Sequence, residues 1–182
     1  MKIISCILMA GLGAAGSLAF APFGWWPMAI ASIGAAYYIC VFHRNTHRRA
    51  SLAMFWGAGW CVANFYWTAS AIPQVGLRFA VWGILAALGA VVFGMPFMAA
   101  ARQSAGWRRA LVFATGAAGA LYIREVLINP WNPLANIALG APGLAASMSV
   151  VGAIGLTFVI AGCVAAVIEA IIPERDSPSP LG

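Results

Sequence analysis

The sequence is dominated by apolar stretches, each long enough to cross a bilayer, which are separated by short clusters of basic residues. Hydrophobic residues make up 63% of the chain and charged residues only 8%. A water-soluble domain needs a polar surface and typically carries about 25% charged residues. The pattern therefore indicates that lipid surrounds most of the chain, which excludes most soluble functions.

The apolar stretches predict six helices joined by short loops, because about 20 apolar residues suffice for one membrane crossing. The stretches cover Ile3 to about Phe20, about Met28 to Phe42, Ala50 to about Thr68, about Phe79 to Ala101, about Ala110 to Leu127 and about Leu144 to Ile172. The predicted fold is an all-α polytopic transmembrane bundle over residues 1–172. Residues 173–182 contain two Ser-Pro pairs and are expected to form a short disordered cytoplasmic tail.

The basic residues predict the orientation of this bundle. With the N-terminus in the cytoplasm, most of the 10 basic residues fall on the cytoplasmic side, as the positive-inside rule expects. These residues are Lys2, Arg44, Arg48, Arg49, Arg102, Arg108, Arg109 and Arg175. The exceptions are Arg78 and Arg124. Both termini are thus predicted to be cytoplasmic, and the net charge of +6 indicates topology rather than a nucleic-acid partner.

The N-terminal segment has a second interpretation. Lys2, the first apolar stretch and Ala19-Phe20-Ala21 together resemble a signal peptide with its cleavage site. Pro22 would directly follow the cut, and removal of the segment would disturb the asymmetry of the basic residues. We therefore expect the segment to be retained as the first helix.

Side chains that could carry chemistry are few. Cys6, Cys40, Cys61 and Cys163 are isolated within apolar stretches, so their spacing predicts packing roles rather than zinc binding. His43 and His47 have the spacing of a helical metal site, but the arginines around them would repel a cation, and a cytoplasmic loop surface is favoured. The sequence thus predicts no metal, no cofactor and no catalytic residue. Glycines are frequent in several stretches and predict close helix packing; they include Gly11, Gly13, Gly16, Gly57, Gly59, Gly152, Gly155 and Gly162.

The pair Arg124-Glu125 interrupts the fifth apolar stretch near its outer end. Ionisable groups in a membrane are costly and usually face the bundle interior or water. Two interpretations stay open: an ion pair that caps the end of the helix, or a site that contacts lipid headgroups. Glu169, near the end of the sixth stretch, is expected to reach the membrane interface. An aromatic belt is predicted at the outer interface, formed by Trp25, Trp26, Phe65, Tyr66, Trp67 and Trp131.

Four segments, taken in order, resemble the membrane domain of the apolipoprotein N-acyltransferase family. The segment AFAPFGWWP at 19–27 resembles the turn between the first two helices of that family. GAGW at 57–60, which leads into NFYW at 64–67, resembles its third helix. Arg124-Glu125 followed by NPWNPL at 129–134 is similar to its E-x-x-R…F-P-W loop, with the order of Arg and Glu changed. VGAIGLTF at 151–158 is similar to the start of the next helix.

The resemblance implies a multi-pass protein of the bacterial inner membrane. Enzymes of this family transfer an acyl chain from a phospholipid to the N-terminal amine of a diacylated lipoprotein. Their Glu–Lys–Cys triad lies in a periplasmic nitrilase-like domain, and the Cys forms a thioester. No residue of this chain matches a triad position, so we expect no acyl transfer by the chain alone.

The partners implied by the resemblance are membrane phospholipid and either a diacylated lipoprotein or a separate nitrilase-like catalytic chain, without nucleic acid. It also implies a lipid-positioning role for six residues: Tyr66, Trp67, Arg124, Glu125, Trp131 and Asn132. A truncated relative of the family is compatible with the same pattern. A non-catalytic membrane binding or scaffold protein is the alternative, and a small transporter is disfavoured because few polar groups are available to line a pathway.

Overall fold

The computed structural model describes residues 2–20, 23–43, 45–66, 72–104, 106–127 and 141–172. Within these ranges the chain is helical and has no strand. The helices are α1 (Lys2–Ala15), α2 (Trp26–Phe42), α3 (Thr46–Asn64), α4 (Val75–Ala100), α5 (Trp107–Leu127) and α6 (Pro142–Ile171), and a 3₁₀ turn over Gly16–Ala19 continues α1. The all-α prediction is confirmed. The predicted tail at 173–182 lies outside the described residues.

Two basic segments that the sequence places in loops belong to helices instead. The Asn45 side chain accepts a hydrogen bond from the Arg48 backbone nitrogen at 3.1 Å and caps α3. Arg48 and Arg49 therefore lie in the first turn of α3, ahead of its apolar residues. Arg109 similarly lies in the first turn of α5. The two basic connections are therefore shorter than predicted, and at α3 the polar cap extends the helix beyond its apolar stretch.

Helix α3 is the centre of the packing. It packs on α1, α2 and α4, while α5 packs on α4 and α6, and α6 also contacts α2. Glycines permit close approaches between helix backbones: a Cβ atom at Gly59 would lie 2.0 Å from the Ala10 carbonyl oxygen, and one at Gly57 would lie 2.7 Å from the Gly89 carbonyl oxygen. Small residues allow such backbone contact between helices. The prediction of close packing at Gly57 and Gly59 is confirmed.

Gly11 and Gly152 are exceptions, because a Cβ atom at either position would meet no heavy atom of the described residues within 4 Å. Gly152 has φ 68° and ψ 177°, a conformation outside the helical region. This part of conformational space is accessible almost only to glycine. Helix α6 is therefore two consecutive helical segments joined at Gly152.

A row of aromatic rings passes through the core. Trp56 on α3 contacts Phe97 on α4 with ring centroids 5.0 Å apart, and Phe97 contacts Phe113 on α5 at 4.9 Å. Phe113 in turn contacts Tyr37 on α2 at 4.8 Å. The row fixes the position of Tyr37, whose hydroxyl belongs to a polar cluster described below.

Two of the described helices are long and apolar enough to cross a membrane: α4, and α6 from Gly143 to Ile171. The most apolar stretch of α4 is only 6% buried and that of α6 only 28%. Such exposure is unlike that of a core helix in a soluble protein, which is buried on most sides. Helices α1 and α2 are apolar but shorter. A bundle with six crossings stays a prediction.

Candidate functional site

One end of the bundle collects basic side chains from two connections and is called the basic end here. The Arg49 guanidinium donates to the carbonyl oxygen of Ala101 at 3.1 Å and to that of His43. Burial of Arg49, together with the nearby Arg109 cation, lowers the pKa of the Arg49 guanidinium. His43 ends α2 whereas His47 belongs to α3, so the two histidines do not share a helix as a metal pair would.

Glu169 of α6 is the acceptor at the centre of the basic end. One carboxylate oxygen accepts from the Tyr37 hydroxyl at 2.8 Å, and the other accepts from the Gly106 backbone nitrogen at 2.8 Å. The same carboxylate forms a salt bridge with Arg109 at 3.3 Å, and its side chain is only 5% exposed. Three elements enclose the Glu169 carboxylate, so it is a partner within the protein, and the expectation that it reaches the membrane interface stays a prediction.

Arg124 lies at the opposite end of α5, in its last turn, and is 2% exposed. Its guanidinium carbon is 5.2 Å from the centre of the Phe65 ring. Within the described part of the chain, its Nε and Nη1 atoms are buried without a hydrogen-bond partner. The salt bridge found among the described residues is Arg109–Glu169, and Arg124 forms none with Glu125. The interpretation of Arg124-Glu125 as an ion pair is therefore wrong. The two side chains lie apart because consecutive residues of a helix point about 100° away from each other.

A cleft of about 80 Å³ lies beside the Arg124 guanidinium, between α3, α4 and α5. Apart from Arg124 its lining is apolar and consists of Cys61, Phe65, Leu88, Gly89, Val92, Phe93 and Ile123. Leu88 is 44% exposed and Ile123 is 38% exposed. The cleft thus opens sideways, through an apolar rim, and presents one buried cation.

The predicted lipid-positioning residues are only partly described by the structure. Tyr66 is exposed and follows Phe65, which itself contacts Arg124, and Glu125 is half-buried. Trp67, Trp131 and Asn132 lie outside the described residues. Sequence reasoning did not single out Cys61 as a lining residue. The spacing of Cys61 and Phe65 could have indicated this position, because residues four apart on a helix share one face.

Comparison with known families supports the resemblance found in the sequence. The chain matches the model of the apolipoprotein N-acyltransferase N-terminal domain over residues 12–166. No curated protein matches the chain. The matched range includes Arg124 and the whole lining of the cleft, and it ends three residues before Glu169. Because the match covers most of its length, the chain belongs to the apolipoprotein N-acyltransferase family, as a bearer of its N-terminal domain.

Proposed function

We propose that this chain is the membrane-embedded part of a system that transfers an acyl chain from a phospholipid to the N-terminal amine of a diacylated lipoprotein. The match to the family's N-terminal domain over residues 12–166 is the observation that carries this proposal. In this system the chain binds and positions the lipid. The nucleophilic chemistry comes from a nitrilase-like unit outside these 182 residues.

The exposed apolar surface supports a location in the bacterial inner membrane. The apolar stretches of α4 and α6 are largely on the outside of the structure, where lipid would cover them. The basic segments around Arg49 and Arg109 gather at one end, which suits a cytoplasmic face. We propose that α1, α2, α3 and α5 supply the remaining crossings and that both termini are cytoplasmic.

The end of the bundle opposite the basic end is the proposed lipid-positioning site. Arg124 supplies a buried cation beside an apolar cleft, and Tyr66 lies next to the cleft residue Phe65. We assign the same role to Glu125 and to Trp67, Trp131 and Asn132 on the strength of the family resemblance. The lysine of this chain, Lys2, is predicted on the other side of the membrane, so a Glu–Lys–Cys triad must come from elsewhere.

Deletion of the gene in its native host tests this proposal. Mass spectrometry of lipoprotein N-termini should show diacylated forms that accumulate in the deletion strain and disappear when the intact chain is restored. Fully triacylated lipoproteins in the deletion strain would contradict the proposal and favour the scaffold alternative.

A second measurement tests whether this chain positions the lipid without carrying the nucleophile. The purified chain, given phospholipid and a diacylated lipopeptide, should form neither a thioester nor an acylated product. A thioester on this chain would show that it carries its own nucleophile.

A further inference from the structure

The Arg124 guanidinium is a buried cation without a matching anion. It is 2% exposed, and its Nε and Nη1 atoms have no acceptor among the residues that the structure describes. An arginine stays protonated in proteins, and a buried charge without a partner is strongly unfavourable. A group that brings negative charge to Nε and Nη1 would therefore be stabilised at this position.

The protein itself compensates the Arg124 charge only in part. The Phe65 ring, 5.2 Å away, provides a cation–π contact. The C-terminal end of α5 adds the equivalent of about half a negative charge. Neither supplies an oxygen acceptor to the two donors, and Glu125 forms no salt bridge with them. The donors remain available to a ligand.

The cleft beside Arg124 defines the shape and polarity of that ligand. Its other lining residues are apolar, and its volume of about 80 Å³ holds one small group rather than a whole lipid. A ligand that fits needs an anionic oxygen at the guanidinium and a hydrocarbon portion against Leu88, Val92 and Ile123. The half-exposed side chains of Leu88 and Ile123 form the rim, so such a ligand enters from the side. A water-soluble anion would have to cross this apolar rim.

We infer that Arg124 binds the phosphodiester oxygens of a phospholipid, which enters sideways between α4 and α5 and leaves its acyl chains along the apolar rim. A guanidinium forms charge-assisted hydrogen bonds with phosphate oxygens, and the Nε and Nη1 donors of Arg124, which point in different directions, both lack an acceptor among the described residues. This inference rests on the proposed function, which makes a membrane phospholipid the ligand. Beyond that function, it identifies the side chain that binds the headgroup and the side from which the lipid enters.

Lipid binding to the full-length chain in detergent, measured by native mass spectrometry, tests the inference. The probes are phosphatidylglycerol, diacylglycerol (which has the same chains but no phosphate) and inorganic phosphate. We expect Arg124→Met to weaken phosphatidylglycerol binding about tenfold, the value of one charge-assisted interaction, and to leave diacylglycerol binding unchanged. Arg124→Lys keeps the charge but loses the planar guanidinium. Its phosphatidylglycerol affinity should lie between those of Arg124→Met and the unmodified chain.

Arg78→Gln is the matched control. Arg78 is also predicted on the outer side, but its guanidinium already donates to the Ile72 carbonyl oxygen at 2.9 Å and 3.1 Å. Its substitution should leave phosphatidylglycerol affinity within about twofold of the unmodified chain.

Two outcomes would overturn the inference. Equal phosphatidylglycerol affinity in Arg124→Met and the unmodified chain removes Arg124 from the site. Displacement of the lipid by millimolar inorganic phosphate assigns the cation to a soluble anion instead. If Arg124→Met does not fold, Arg124→Lys serves for the same comparison, and its equal affinity would likewise remove the guanidinium from the site. Because this binding measurement involves no lipoprotein and no catalytic chain, its failure is distinguishable from failure of the acylation proposal.

Discussion

Helix α5 carries an arginine near each end, the half-buried Arg109 and the buried Arg124, and the two have different surroundings. Arg109 forms a salt bridge with Glu169, donates to the Gln103 carbonyl oxygen at 3.2 Å and lies over the Phe42 ring. Arg124 has the Phe65 ring beside it but no acceptor at Nε or Nη1. The two residues are about 22 Å apart along the helix. An arginine side chain thus connects helices at one end of α5, whereas at the other end an arginine is available to bind an anion.

The difference separates a structural charge from a binding charge. At the basic end a single carboxylate links α2, α6 and the connection before α5, so charge there contributes to the fold. At the other end the guanidinium links no two helices by a hydrogen bond among the described residues. Removal of charge should therefore lower stability at the first end and lower ligand affinity at the second.

Substitution of Glu169 should give the largest effect. Glu169→Ala leaves the Arg109 cation without its carboxylate partner, and it leaves the Tyr37 hydroxyl and the Gly106 backbone nitrogen without the acceptor they now have. We expect the free energy of unfolding to fall by about 3–5 kcal/mol, as when one partner of a buried ion pair is removed. Unfolding of the purified chain in detergent by added denaturant, followed by circular dichroism, measures this change.

Arg124→Met provides the other half of this comparison. Without added phospholipid it should unfold no more readily than the unmodified chain, because an unpartnered buried charge gives no net stabilisation. A loss as large as that of Glu169→Ala would mean that both arginines are structural, and the contrast between the two ends would disappear.

Substitution of Gly59 should destabilise both ends of the bundle, because α3 extends from the basic end to the end that contains Arg124. A Cβ atom at this position would lie 2.0 Å from the backbone oxygen of Ala10, which cannot move aside as a side chain can. We expect Gly59→Ala to lower the free energy of unfolding by about 3 kcal/mol through overpacking. The same measurement applies, with and without phospholipid.

Gly83→Ala is the control for this substitution, since no heavy atom lies within 4 Å of a Cβ atom there. In a helix it should be neutral or stabilise by up to about 1 kcal/mol. Similar losses for the two variants would show that helix propensity, rather than the α1–α3 contact, determines the result.

Substitution of Tyr37 should give the smallest effect. Tyr37→Phe removes one of the donors to Glu169 and keeps the ring contact with Phe113. We expect a loss of about 1 kcal/mol in the free energy of unfolding. Tyr38→Phe, at an exposed position, should leave the stability unchanged. No loss in Tyr37→Phe would show that Arg109 and Gly106 alone satisfy the carboxylate.

The positions of the helices follow from the sequence, whereas the roles of its charged residues do not. Apolar stretches predict helices because hydrophobic length and helical continuity coincide in this chain. Their first turns are misplaced where a polar cap such as Asn45 starts the helix among basic residues. Glu169 shows a further limit: its partners Tyr37 and Gly106 are 132 and 63 residues away in the chain. Only the tertiary packing of α2 and α6 brings these groups together.

The candidate site could be predicted in part. Arg124 stands out in the sequence because a cation in an apolar stretch is costly. Its separation from Glu125 and its approach to Phe65 depend on how α5 is rotated against α3. That rotation is set by side-chain packing, and the spacing of residues along one helix does not reveal it. The cleft residues Cys61 and Gly89 are likewise indistinguishable from ordinary packing positions in the sequence.

The interruption at Gly152 alters the vertical extent of the last helix. Uninterrupted, the 30 residues of α6 would measure about 45 Å, well beyond the hydrocarbon core of about 30 Å. From Ala153 to Ile171 the length is about 29 Å, which matches that core. The residues before Gly152, including Ser147 and Ser149, are then free to turn along the outer surface of the bilayer. A single apolar stretch would in this way supply both a membrane crossing and a helical segment that lies along the membrane surface at the level of the headgroups.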